Sequence, residues 1–123
     1  MRYLTDRKRA IGKGASHTGT ELHWYMTVSA VGLAIMVPTF LIIFGRALGS
    51  GHEQVLETFA RPVPAILTAL VLVIGLQHFR RGAQMMIEDY ARGMNRKIAV
   101  IFVITFSYFL MACGLFALAK LAL

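Results

Sequence analysis

One cysteine, one tryptophan, three prolines and six acidic residues are all that this 123-residue chain carries of those types. The lone Cys113 lies within an apolar run, so the chain alone can build neither a disulfide nor a cysteine-ligated metal or iron–sulfur centre. It has no glycine-rich dinucleotide fingerprint, no internal repeat and no polar stretch large enough to fold as a soluble domain. Flavin or nicotinamide chemistry is therefore not expected in this chain. Acid is scarce against 13 basic residues, which leaves a net charge of +7. A nucleic-acid partner would require those basic residues on a soluble surface with interleaved aromatics, and that surface is missing. No secretory leader is expected either, since the first apolar run is too long and lacks a small-residue cleavage site.

What the chain has is hydrophobicity. With 57% hydrophobic and 15% charged residues, it is far more apolar than a soluble domain of its size, so an integral membrane protein is expected. Trp24 to Phe44 and Ile98 to Ala119 contain no charge, and each is long enough to cross a hydrocarbon core of about 30 Å. Val63 to Leu76 is only fourteen residues, too short to span alone, so its helix is expected to continue through Gln77 to Tyr90. The expected organisation is an N-terminal arm at 1–22, transmembrane helices at 23–46, 62–90 and 98–121, an outer loop at 47–61 and an inner loop at 91–97. The fold class is all-α with three membrane-spanning helices.

The basic residues set the orientation. Arg2, Arg7, Lys8, Arg9 and Lys13 precede the first span, and Arg92, Arg96 and Lys97 lie in the second connection. In the first connection, Glu53 and Glu57 offset Arg46 and Arg61. The positive-inside rule places the N-terminus and second connection in the cytoplasm, and the C-terminus outside. Trp24 and Tyr25 then fall at the inner interface, where amphipathic rings prefer to sit. The arm, with Gly12, Gly14, Ser16 and Gly19, reads as an extended cytoplasmic docking surface for a soluble partner.

The middle segment carries the chemistry, in the run QHFRRGAQMMIEDY. His78 lies roughly 22 Å from the outer start of its helix, at membrane depth. An ionisable group there is costly, and is kept where it faces a cofactor, a partner helix or a water-filled path. The bland alternative is an interhelical hydrogen bond stabilising by under about 2 kcal/mol. Asp89 follows eleven residues later, about 20° beyond three full turns, so it shares a face with His78 roughly 16 Å along the axis. Gly82 is one turn from His78 and about 40° around the helix, where a missing side chain leaves room for a flat macrocycle. Arg80 and Arg81 suit bidentate pairing with carboxylates, such as haem propionates or an acidic partner, and could equally snorkel toward headgroups. Pro38 reads as a tolerated kink. Gly32, Gly75 and Gly114 read as points of close helix approach, and Met85 and Met86 as packing residues. His17, His23 and His52 sit outside the spans or at their edges, where a structural or solvated role is the default.

His78, three residues, Gly82, six residues and then Asp89-Tyr90 resemble the haem-and-quinone helix in the smaller (D-type) hydrophobic cytochrome b anchor of succinate dehydrogenase, respiratory complex II. The resemblance covers nearly the whole chain, and the approach to the first span from Gly14 is similar to alphaproteobacterial members. It implies a helical bundle formed with a second, larger cytochrome b anchor subunit in a bacterial cytoplasmic (inner) membrane, with an iron–sulfur subunit and a flavoprotein subunit beside them. It also implies that His78 is one axial ligand of a haem b iron whose other ligand comes from the larger anchor. Tyr90 would donate to a ubiquinone carbonyl oxygen, and Asp89 would orient a partner arginine or the proton network. Many relatives carry an arginine near the start of the first span for a haem propionate. Here that stretch is Met26-Thr27-Val28-Ser29, which leaves the propionates to Arg80, Arg81, His23 or the partner. Two other readings stay open: a fumarate reductase anchor using menaquinol, and a small transporter or assembly protein with His78, Arg80, Arg81 and Asp89 along an ion path.

Overall fold

The computed structural model describes residues 3–12, 14 and 19–123; Arg2, Lys13, Ser16 and His17 of the arm lie outside the described residues. The described chain is helical throughout: α1 (Asp6–Ile11), α2 (Gly19–Ala47), α3 (His52–Ala60), α4 (Pro62–Tyr90) and α5 (Gly93–Ala122). Three of these, α2, α4 and α5, are long and apolar enough to cross a membrane.

Local sequence explains where the helices stop. Thr5 caps α1 by accepting from the Lys8 amide, with Asp6 in the first turn where the helix dipole favours an acid. α2 runs through Pro38 without interruption. Pro62 opens α4 at the position where its missing N–H costs nothing, and Arg61 before it is extended, as the proline ring demands. Between α4 and α5 the chain reverses through Ala91 and Arg92 alone. Gly93 then takes φ +60°, a backbone conformation that a side chain would strain.

Helix also occupies much of the connections. The segment between α2 and α4 holds α3, because Val55 and Phe59 recur four residues apart and turn one stripe of it inward. Phe59 is buried and lies 6.5 Å from Phe44, which in turn stacks on Phe40. The segment that follows α4 is mostly helix, since Arg96 and Lys97 belong to the first turns of α5. α2 likewise begins at Gly19, ahead of the apolar run. A helix need not end where the hydrocarbon ends, so hydropathy marks the span and not the element.

α4 is the middle of the structure. It packs against both α2 and α5, whereas α2 and α5 make no contact among the described residues; α3, between α2 and α4 in the chain, touches all three. The spans therefore form a layer one helix thick. Such a layer buries little: Ala47, Phe59 and Ala65 are its buried hydrophobic residues among those described, while Ile35, Ile66, Phe79, Ile101 and Phe116 remain exposed. In a membrane those faces meet lipid or another helix.

Candidate functional site

His78 faces α2. The α4 stripe Gly75, His78, Gly82 meets the α2 stripe Leu33, Ser29, Met26, each stepping by three and four residues so that one face of each helix is used. A Cβ on Gly75 would come 3.8 Å from Leu33 Cδ2, and one on Gly82 would come 3.6 Å from Met26 Cε. Between these two contacts, Ser29 Oγ lies 2.8 Å from His78 Nδ1. Ser29 is only 6% exposed, and its hydroxyl also lies 2.7 Å from the carbonyl oxygen of Tyr25 and 3.1 Å from that of Met26. Interhelical hydrogen bonds in membranes stabilise by about 0.6 kcal/mol on average, so this pair holds the ring's orientation more than it holds the fold.

No described residue hydrogen-bonds His78 Nε2. A half-buried imidazole, gripped at one nitrogen and free at the other, is the donor set that a haem iron requires of one axial ligand. The other described histidines, His23 and His52, are exposed near the starts of α2 and α3, and no cluster of three metal-binding side chains exists among the described residues. Among the described residues, no second histidine lies between two spans as His78 does. The space beside Gly82 is filled by the flexible end of Met26, which a flat group entering there would have to displace.

The two arginines diverge. Arg80 donates from Nε and Nη2 to Gln77 Oε1, at 3.2 and 3.1 Å, and lies 5.4 Å from the centroid of the Tyr108 ring on α5. Arg81 turns to α2 and lies 3.7 Å from the Tyr25 centroid. Both line a cleft of about 160 Å³ together with Leu22, Gln84 and Glu88. A lining that includes two arginines suits a carboxylate. His23 does not line it; the residue is exposed, and its carbonyl accepts from Thr27 Oγ1.

Asp89 and Tyr90 end α4. Both are exposed, Tyr90 at 86%. Their neighbour Glu88 instead accepts from Gln84 Nε2 at 3.0 Å and lies 3.9 Å from Arg96, a half-exposed pair of about 0–1 kcal/mol. A cleft of about 540 Å³ opens between Glu88, Arg96, Lys97 and Ile101, and neither His78, Asp89 nor Tyr90 lines it. The structure thus brings His78, Arg81 and Gly82 to α2 and Arg80 toward α5, and leaves the Asp-Tyr pair facing outward. The charge-free run hid Ser29 as a partner for His78, although a serine on the stripe between Met26 and Leu33 is a signal that helix register could have supplied.

The family model described as succinate dehydrogenase/fumarate reductase transmembrane subunit matches residues 1–112. The chain belongs to that family. Over all 123 residues, and 95% of the relative's length, it is 47% identical to the succinate dehydrogenase hydrophobic membrane anchor subunit of Paracoccus denitrificans. No solved structure matches it. Membership of a transmembrane-subunit family accords with the three long apolar helices, and the chain is a multi-pass membrane protein.

Proposed function

We propose that this chain is the smaller membrane anchor of a succinate:ubiquinone oxidoreductase in a bacterial cytoplasmic membrane. The larger cytochrome b anchor lies beside it, and the iron–sulfur and flavoprotein subunits lie on the cytoplasmic side. The end-to-end identity with the Paracoccus denitrificans subunit carries this reading. The open helix layer supports it, because a second set of helices would cover faces that this chain leaves bare.

Within that assembly His78 holds haem b through Nε2, and the larger anchor supplies the other histidine. When bound, the haem supplies a one-electron redox centre shared by the two anchor chains. Arg80 and Arg81 offer guanidiniums to the propionate carboxylates from the cleft they share. Tyr90 donates its phenolic hydrogen to a carbonyl oxygen of ubiquinone, polarising it as electrons arrive from the iron–sulfur subunit. Asp89 holds a partner arginine or the network that delivers protons. Succinate oxidation belongs to the flavoprotein, since this chain has no residues for it.

Isolation of the native complex tests the reading. The chain is expected to co-purify with three other subunits and to contribute to a b-type haem signal in a reduced-minus-oxidised spectrum. A stable, haem-free chain isolated without partners overturns the anchor reading.

A further inference from the structure

We propose that Ser29 is a positioning residue for His78: it fixes the imidazole as the Nδ1–H tautomer and turns Nε2 outward as the ligating nitrogen. This deepens the proposed function, resting on His78 as an axial haem ligand, and adds a residue that the motif does not contain.

The argument is an allocation of hydrogens. A serine hydroxyl has one hydrogen and two lone pairs, while a backbone carbonyl can only accept. Ser29 Oγ stands 2.7 Å from the Tyr25 carbonyl oxygen and 3.1 Å from that of Met26, so its single hydrogen is committed to the backbone of its own helix. Toward His78 it presents a lone pair. Nδ1, at 2.8 Å, must then carry the hydrogen. The opposite assignment would leave the oxygen's lone pairs against two carbonyl oxygens in a site closed to water, where Ser29 is 6% exposed. A neutral imidazole has one N–H, so placing it on Nδ1 leaves Nε2 with the lone pair that a metal requires.

The directions agree with the proton count. The two ring nitrogens diverge, so a ring gripped at Nδ1 by α2 points Nε2 away from α2. Gly75 and Gly82, flanking the histidine on its own stripe, let α2 approach closely enough for the grip. A ligand histidine that donates its other N–H to an oxygen is a more basic ligand, which favours the oxidised metal. Ser29 therefore orients the ring and lowers the haem midpoint potential.

The test uses the intact complex in its membrane, with haem content and midpoint potential measured per assembled complex. Ser29→Ala is expected to raise the potential by about 59 mV, a tenfold shift in oxidised-over-reduced preference for a one-electron couple, and to loosen haem retention. Ser29→Thr and Ser29→Val compare a hydroxyl with a methyl at matched shape: Thr should keep the native potential and Val should follow Ala. Equal behaviour of Thr and Val, or no shift in any of the three, overturns the role of Ser29. His78→Ala in parallel separates the two ideas. If it abolishes the low-spin signal while the Ser29 series is silent, the ligand stands and the positioning residue falls. If the signal survives without His78, the underlying reading falls as well.

Discussion

Arg81 of α4 lies face-on to Tyr25 of α2, its guanidinium carbon 3.7 Å from the ring centroid. Tyr25 is thereby tied to α4 twice, by its ring to Arg81 and by its backbone carbonyl through Ser29 to His78. A guanidinium over an aromatic face stabilises by about 0.5–1 kcal/mol at exposed sites and about 2 kcal/mol when desolvated. Tyr25→Leu is expected to lower the thermal stability of the assembled complex by an amount in that range, with Tyr25→Trp retaining it. A Leu variant as stable as the native protein would show that the stacking contributes nothing.

His78→Ala removes the only described histidine at membrane depth. The expected result is loss of haem, or an iron left five-coordinate and high-spin, with assembly scored separately by subunit recovery. An unchanged six-coordinate low-spin spectrum in the assembled variant would exclude His78 as the ligand.

Tyr90 is 86% exposed, so its hydroxyl is available to a ligand or partner at the C-terminal end of α4. Tyr90→Phe keeps the ring and removes the hydrogen bond. Quinone reductase activity should fall by about 10²–10⁴-fold, the range that a positioned proton donor supplies, while succinate oxidation by a soluble dye stays native. Native ubiquinone kinetics would take Tyr90 out of the site.

Asp89→Asn removes a charge while nearly preserving shape. A drop in the same quinone step with intact haem content is expected, through a weakened charge-assisted contact with a partner group. Native rates across the accessible pH range would leave Asp89 without a role in that step.

Two glycines should differ in their tolerance. A Cβ on Gly114 would fall 2.5 Å from Leu72 Cδ2, with two more atoms of that side chain within 3.4 Å, whereas one on Gly82 meets only the end of Met26 at 3.6 Å. Gly114→Ala is expected to destabilise the α4–α5 contact by about 1–3 kcal/mol, the range for overpacking, and Gly82→Ala to be tolerated by the chain itself. Thermal unfolding of the two assembled variants distinguishes them. If Gly82→Ala instead loses haem while remaining assembled, a cofactor lies against that glycine.

The sequence by itself determined that the chain is all-helical with three spans: two charge-free runs are long enough to cross a membrane as helices, and a fourteen-residue apolar run does so by continuing through Gln77 to Tyr90. It also singled out the helix that carries His78, Asp89 and Tyr90, since ionisable residues beside apolar ones announce themselves by their cost. Periodicity put Gly82 near His78 but could not say which helix would face them. Only the tertiary structure decided that α4 is the middle of an open layer, that His78 meets Ser29, and that Arg80 and Arg81 turn to different neighbours. Those outcomes depend on which stripe of each helix is small enough to let another approach, and on where one hydroxyl among many apolar side chains falls in the register. α3 was hidden for a related reason: its two inward residues are too few to stand out from a polar connection until Phe44 gives Phe59 something to pack against. Hydropathy is a property of one segment against its solvent, whereas a contact between helices is a property of two surfaces.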